Sequence, residues 1–171
     1  MSISMHSASV PVFARLLDNM LTWLDKAQQH AEARQFDTAN YLGMRLAPDM
    51  LPLIKQIQIA TDAAKGCVAR LAGIEIPKYD DNEASFDDLR ARIRRTIDFV
   101  QSVPEASFAG SETREIALPM RSGDTIRLDG QRYLEHWAQT NFHFHVSMTY
   151  ALLRHAGVEL GKADLLRGAK V

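Results

Sequence analysis

Apolar side chains recur every three or four residues in four long stretches of this chain, and each stretch ends at glycine, proline or a polar turn. Such a stripe covers one side of an α-helix, and a wide one has to be buried against other helices. In "VPVFARLLDNMLTWLDKAQQHAEA" the stripe is Val12, Leu16, Met20, Trp23, Leu24 and Ala27, with Phe13, Leu17 and Leu21 beside it. Ser7 or Ser9 is placed to cap this helix, and Pro11 sits in the first turn, where a missing N–H costs nothing. His30 falls in the polar end and reads as a solvated surface residue.

Pro48 and Pro52 interrupt the second stretch, because each lacks a donor and clashes with the preceding turn. The pattern predicts a short helical turn over about 38–45, a break at Pro48 and a main helix over about 49–72. Leu53, Ile57, Ala60, Ala64, Cys67 and Leu71 share one face, and Gly73 followed by Pro77 marks the stop. Cys67 on that face reads as a small buried hydrophobe rather than a nucleophile. The third helix opens at Ser85, with Asp88 three residues on in a capping-box arrangement, and its stripe is Phe86, Leu89, Ile93, Ile97 and Val100. Arg90, Arg92, Arg94 and Arg95 point around several faces with acids nearby, so they read as a solvated face rather than a nucleic-acid helix.

The period then changes from helical to alternating. Ile116, Leu118 and Met120 alternate, the chain turns at Ser122-Gly123-Asp124, and Ile126 and Leu128 alternate again, which predicts a β-hairpin. It is expected to pack as a flap over one end of the helices or to meet a second copy of the chain. The last long helix follows, with Leu134, Trp137, Asn141, His145, Met148 and Leu152 along one stripe, Phe144 and Ala151 beside it, and Gly157 as its stop.

Composition narrows the function classes. A chain of 171 residues, 46% hydrophobic and 24% charged, suits one globular domain over 1–171. A net charge of −1 supplies no global field for nucleic acid or anionic membrane, so neither is expected as a partner. The single cysteine excludes an internal disulfide and fits a reducing cytoplasm. The N-terminal residues lack the pattern of a signal peptide, and no run approaches the ~20 apolar residues of a membrane span.

The histidines are clustered in "TNFHFHVSMTYALLRHAGVELGK", yet they make a poor chelate. His143 and His145 are two residues apart, roughly 200° around a helix axis, and point nearly opposite ways. His136 and His143 share a face but stand roughly 10 Å apart along it, and His155 is out of register with both. What remains is a mixed set of polar groups on faces that should look inward: Asn141, His145 and Thr149 on the last helix, and Asp49 and Gln56 across from them on the second. Polar groups so placed either form a satisfied buried network that fixes helix register or line an accessible pocket. No nucleophile elbow, phosphate loop, dinucleotide fingerprint or cysteine zinc motif is present.

The motifs "RLAPDMLPLIKQIQIATDAAKG", "RLAGIEIPKYDD", "REIALPM" and "NFHFHVSMTYALLRHAGVELGKADLLRG" together resemble the uncharacterised bacterial family known as domain of unknown function nineteen-ninety-three, a branch of the DinB/YfiT-like superfamily. The resemblance covers nearly the whole chain. It implies an antiparallel four-helix bundle, usually a homodimer, in a superfamily where many members bind a divalent metal through one histidine on the second helix and an H-x-x-x-H pair on the last. Here the second helix offers Asp49 or Gln56, and the last offers Asn141-x-x-x-His145, so one imidazole remains of three. Asp49, Asn141 and His145 are the candidate ligands for a weakly held divalent ion, and a single imidazole disfavours a tight zinc or nickel site. The thiol-transferase activities of the superfamily are therefore not carried over. Two expectations follow: a homodimeric bundle that is non-catalytic or binds a small ligand, with a degenerate or absent metal site, or a divalent-metal-dependent transferase or hydrolase with the ion between the second and last helices.

Overall fold

Pro11 stands at the start of α1 (Val10–Ala33), whose buried face carries Phe13, Leu16, Leu17, Met20, Trp23, Leu24 and Ala27. The computed structural model describes residues 3–120 and 122–166; Arg121 of the hairpin loop and the Arg167-Gly168 end of the last quoted motif lie outside them. Ser9 occupies the cap position of α1, but its hydroxyl donates to the Met5 carbonyl (2.7 Å) and accepts nothing from the helix.

The entry to the second long helix differs from expectation. Only Ala39–Leu42 forms the short helix α2, and α3 runs over Leu53–Ala72, starting after Pro52 rather than after Pro48. Pro52 holds extended backbone (ψ 165°) at the cap, and a proline also pushes the residue before it away from helical geometry. Residues 49–51 are thereby kept out of the helix. Once inside α3, the predicted face is fully buried at Leu53, Ile57, Ala60, Ala64, Cys67 and Leu71. Gly73 ends it in the left-handed region (φ 70°).

In α4 (Phe86–Ser102) the Ser85 hydroxyl accepts from the Asp88 N–H (3.1 Å), and the Asp88 carboxylate accepts from Ala84 N–H and from the Ser85 hydroxyl. Two of the four arginines on this helix are not solvated. Arg90 reaches Asp25 (3.0 Å) and Gln28 (2.7 Å) on α1 as well as Asp87 (2.9 Å). Arg92 donates to Thr61 (2.7 Å), to Asp62 (2.8 Å) and to Glu83 (2.9 Å). Both are buried, whereas Arg94 and Arg95 are exposed. The reason is tertiary: their carboxylate partners sit on α1, α3 and the loop before α4, and the aliphatic stems cover core surface on the way.

The hairpin pairs β1 (Glu115–Pro119) with β2 (Thr125–Asp129), antiparallel, with Ile116 opposite Leu128 and Leu118 opposite Ile126. Gly123 takes φ 94° in the turn, which lets its N–H reach the Met120 carbonyl (3.0 Å). Ile116 and Leu118 join the core, with Ile126 and Leu128 packed partly buried against it. The last helix spans 130–155 in three pieces: α5 (Gly130–Arg132), a π-helical segment over Tyr133–Ala138, and α6 (Gln139–His155). A further short helix, α7 (Lys162–Leu166), returns over α1, where its carbonyls accept from Asn19 and Trp23.

The chain is thus mainly helical with one small antiparallel hairpin. The four long helical segments close on one another: α1 packs on α4, α4 on α3, α3 on α6 and α6 on α1. Short helices beyond the four expected fill the corners, α2 among them, which folds Tyr41 back onto the end of α1. No helix of the described residues is long and apolar enough to cross a membrane.

Candidate functional site

Gln56 lies one turn into α3, and His145 sits midway along α6, on the most extensively packed pair of helices. The Gln56 amide nitrogen donates to the Leu51 carbonyl (2.9 Å), which turns the amide oxygen toward His145. That oxygen stands 2.7 Å from His145 Nδ1 and has no proton to give, so Nδ1 carries the hydrogen and donates it. In the neutral ring the lone pair is then on Nε2. Nε2 has no hydrogen-bond partner among the described residues, and His145 retains 7% of its surface exposed. Burial pushes the proton affinity of the ring below its ordinary value, which favours this neutral form. One turn on, the Thr149 hydroxyl donates back to the His145 carbonyl (2.9 Å) and is fully buried, so its proton is spent within the helix rather than on a ligand.

The other proposed site residues are placed differently. Asp49 is exposed in the loop before Pro52 and makes no hydrogen bond to Gln56 or His145, so it does not share a helical face with Gln56 as its seven-residue spacing suggested. Asn141 is half-buried and lines a cleft of about 270 Å³. His143 is exposed, with Nδ1 2.7 Å from the Gln139 carbonyl. His136 and His155 are exposed as well. Phe144, read as lying beside the inward stripe, is 51% exposed and meets the His145 ring edge-on at 5.1 Å. Leu51, whose carbonyl holds Gln56, is 44% exposed. A histidine with a free lone pair is therefore flanked by apolar surface.

His30 is half-buried rather than solvated, because α2 brings the Tyr41 hydroxyl within 2.6 Å of its Nδ1 and Phe36 packs edge-on to the ring.

The cleft that Asn141 lines lies between α3, the hairpin and the last helix. Trp137, Leu118 and Met120 give it apolar walls. Arg70 enters from α3, its Nη1 3.3 Å from the Tyr133 hydroxyl. Burial raises the Tyr133 phenol to about 12, so it is a neutral hydroxyl here. Tyr133, Trp137 and Ala138 all belong to the π-helical segment, a local widening that turns side chains the α period would have placed elsewhere. Periodicity alone did not point to Arg70. The signal that could have found it is Gly66, since a glycine in a helix interior costs about 1 kcal/mol against alanine and invites a packing reason. A Cβ at Gly66 would stand 2.6 Å from Arg70 Nη1, so the guanidinium lies folded over the space that glycine leaves.

As a metal centre the donor set fits poorly. The Gln56 amide is committed at both ends, which leaves Asn141 and one imidazole nitrogen of the residues that correspond to the three-histidine pattern. Among the described residues, no three histidine, cysteine, aspartate or glutamate side chains converge as an ion-binding group.

Comparisons with known proteins bear on the family and the fold. No curated protein matches the chain. The crystal structure of a DinB family member protein from Shewanella denitrificans superposes with a TM-score of 0.89, at 38% sequence identity over 95% of this chain and 91% of that one. The model of the domain of unknown function family DUF1993 matches residues 5–166, and the chain belongs to that family.

Proposed function

We propose that this protein is a four-helix bundle of the DinB/YfiT-like type that binds a small ligand in the cleft between α3, the hairpin and the last helix. It works in the cytoplasm as a homodimer and retains only a degenerate metal site. The observation that carries this reading is the cleft itself: Arg70 and Asn141 reach into about 270 Å³ walled by Trp137, Leu118 and Met120, and the one side-chain hydrogen bond of Arg70 among the described residues goes to the Tyr133 hydroxyl. His145 is outside the lining of that cleft; its Nδ1–H is fixed by Gln56, and among the described residues no group of three metal-ligating side chains forms around it, which supports a degenerate metal site. A lone imidazole holds a divalent ion only weakly. The apolar exposure of Phe144 and Leu51 beside it supports a second copy covering this face. Light scattering is expected to show about twice the 19.2 kDa chain mass.

A second reading is a divalent-metal-dependent transferase or hydrolase. It is favoured by one feature: metal-bound histidines commonly donate their other N–H to a fixed acceptor, as His145 does to Gln56. Metal analysis of untagged protein separates the two. The ligand-binding reading expects no stoichiometric ion. Stoichiometric zinc, nickel, manganese or iron that disappears in His145→Ala transfers the argument to the metal reading.

A further inference from the structure

The geometry points to the chemical class of the cleft's ligand: a small organic anion, a carboxylate on a short apolar or single-ring body, with its charge on Arg70 and its body against Trp137. The inference rests on the ligand-binding reading of this cleft. Among the described residues no carboxylate lies within ion-pair distance of Arg70, whereas Lys65 on the same helix and Arg92 on α4 are each paired. Its one side-chain hydrogen bond goes to a neutral phenol, which satisfies geometry but not charge. Asp62, the acid that lines the cleft, does not compensate Arg70, since its Oδ1 is held by both Lys65 (2.9 Å) and Arg92 (2.8 Å). An anion therefore enters a cleft whose carboxylate is already ion-paired and whose guanidinium, among the described residues, is not.

The placement of Arg70 is built into the backbone. Gly66 leaves room for the guanidinium to lie back along α3, and any side chain there would meet it at 2.6 Å. A guanidinium held in this way presents its remaining N–H groups in a planar fork suited to a carboxylate. The Tyr133 hydroxyl and the Asn141 amide supply further polar partners, and Trp137, Leu118 and Met120 complete the apolar wall. A volume of about 270 Å³ lies just below the usual range of about 300–1,000 Å³ for ligand pockets, which limits the body to about one ring with a short chain.

Calorimetric titration with benzoate, phenylacetate and 3-phenylpropionate, each against its neutral alcohol, tests the assignment. For the best-fitting acid the native protein is expected to prefer it at least about tenfold over the alcohol, as loss of a charge-assisted bond implies. Arg70→Gln should abolish that preference by weakening the acid far more than the alcohol. Gly66→Ala keeps every charge but displaces the guanidinium; it should weaken the acid alone, with no fall in melting temperature. If Arg70→Gln does not fold, Arg70→Lys and Gly66→Ala decide, both being expected to lose most of the preference. Acid and alcohol binding equally well in the native protein, or a preference untouched by these variants, overturns the anion assignment and leaves the ligand-binding cleft standing. No saturable binding of any acid or alcohol removes both.

Discussion

Arg92→Leu should be among the most destabilising single changes in α4, and the size of the effect follows from where its partners sit. The Arg92 side chain is 2% exposed and donates from all three nitrogens: Nε to Thr61, Nη1 to Glu83 and the Asp80 carbonyl, Nη2 to Asp62. Removing one member of a buried pair costs about 3–5 kcal/mol, because the other charge is left without compensation. Here Asp62 and Asp81, whose Oδ1 also stands 3.1 Å from Nη1, are 44% and 43% exposed and can take up water, so they contribute little to the cost. Glu83, at 8%, cannot, and would keep only the Gln58 amide at 2.6 Å. The lower end, about 3 kcal/mol, is therefore expected, which for a chain of this length lowers the melting temperature by about 6–12 °C. Urea unfolding and calorimetry measure both. Adding Glu83→Gln to Arg92→Leu should restore at least half the loss, since it neutralises the stranded carboxylate with little change of shape. Arg92→Lys should fall between, because an ammonium keeps the charge but lacks the fork that reaches Thr61 and Asp62 together. If Arg92→Leu stays within about 0.5 kcal/mol of the native protein, or the double variant is no better than the single, the buried-charge account of α4 is wrong.

Gly130→Ala would place a Cβ 1.8 Å from the Ser111 carbonyl oxygen, a backbone atom that cannot swing away, so a loss of at least about 3 kcal/mol is expected in urea unfolding. His145 adds a pH dependence. Its folded proton affinity lies below the ordinary 6.5 through burial, so the unfolded chain takes up the proton first. Stability present above about pH 6.5 should fall as the pH drops toward the folded value, and His145→Gln should lose that slope when unfolding is compared at about pH 7.5 and about pH 5.5. Cys67 is fully buried, and desolvation raises its thiol, so a thiol reagent should modify it only in urea; rapid labelling of the native protein would contradict its core position.

The parts of this molecule that were legible in the sequence are those where one period holds and one face is buried. The α3 stripe from Leu53 to Leu71 is such a case, since every position on it packs inward and no distant charge competes. The hairpin is another, because the alternation and Gly123 agree on the same turn. Arg92 was not legible, because a basic residue on a helix reads as solvated until the loop carrying Glu83 folds over it. His30 failed in the same way, its surroundings being decided by the return of α2.

The cleft is the instructive failure. A constant α period run through Leu134, Trp137, Asn141 and His145 puts all four on one inward stripe, yet Leu134 and His145 are buried while Trp137 and Asn141 are half-buried and line the cleft. The π-helical segment between Tyr133 and Ala138 takes more residues per turn, so a strict α period misplaces the side chains within it, Tyr133 and Trp137 among them. The His145–Gln56 contact lies wholly on the C-terminal side of that segment, and there the α period holds. A sequence can still mark such a place indirectly. Gly66 occupies a fully helical position where alanine would be about 1 kcal/mol better, and the space it leaves is filled by the Arg70 guanidinium. A helix that carries that cost beside a π-helical segment of its neighbour is keeping room for a side chain that faces the cleft, which is why Gly66 and Arg70, rather than the conspicuous histidine cluster, locate the charge in it.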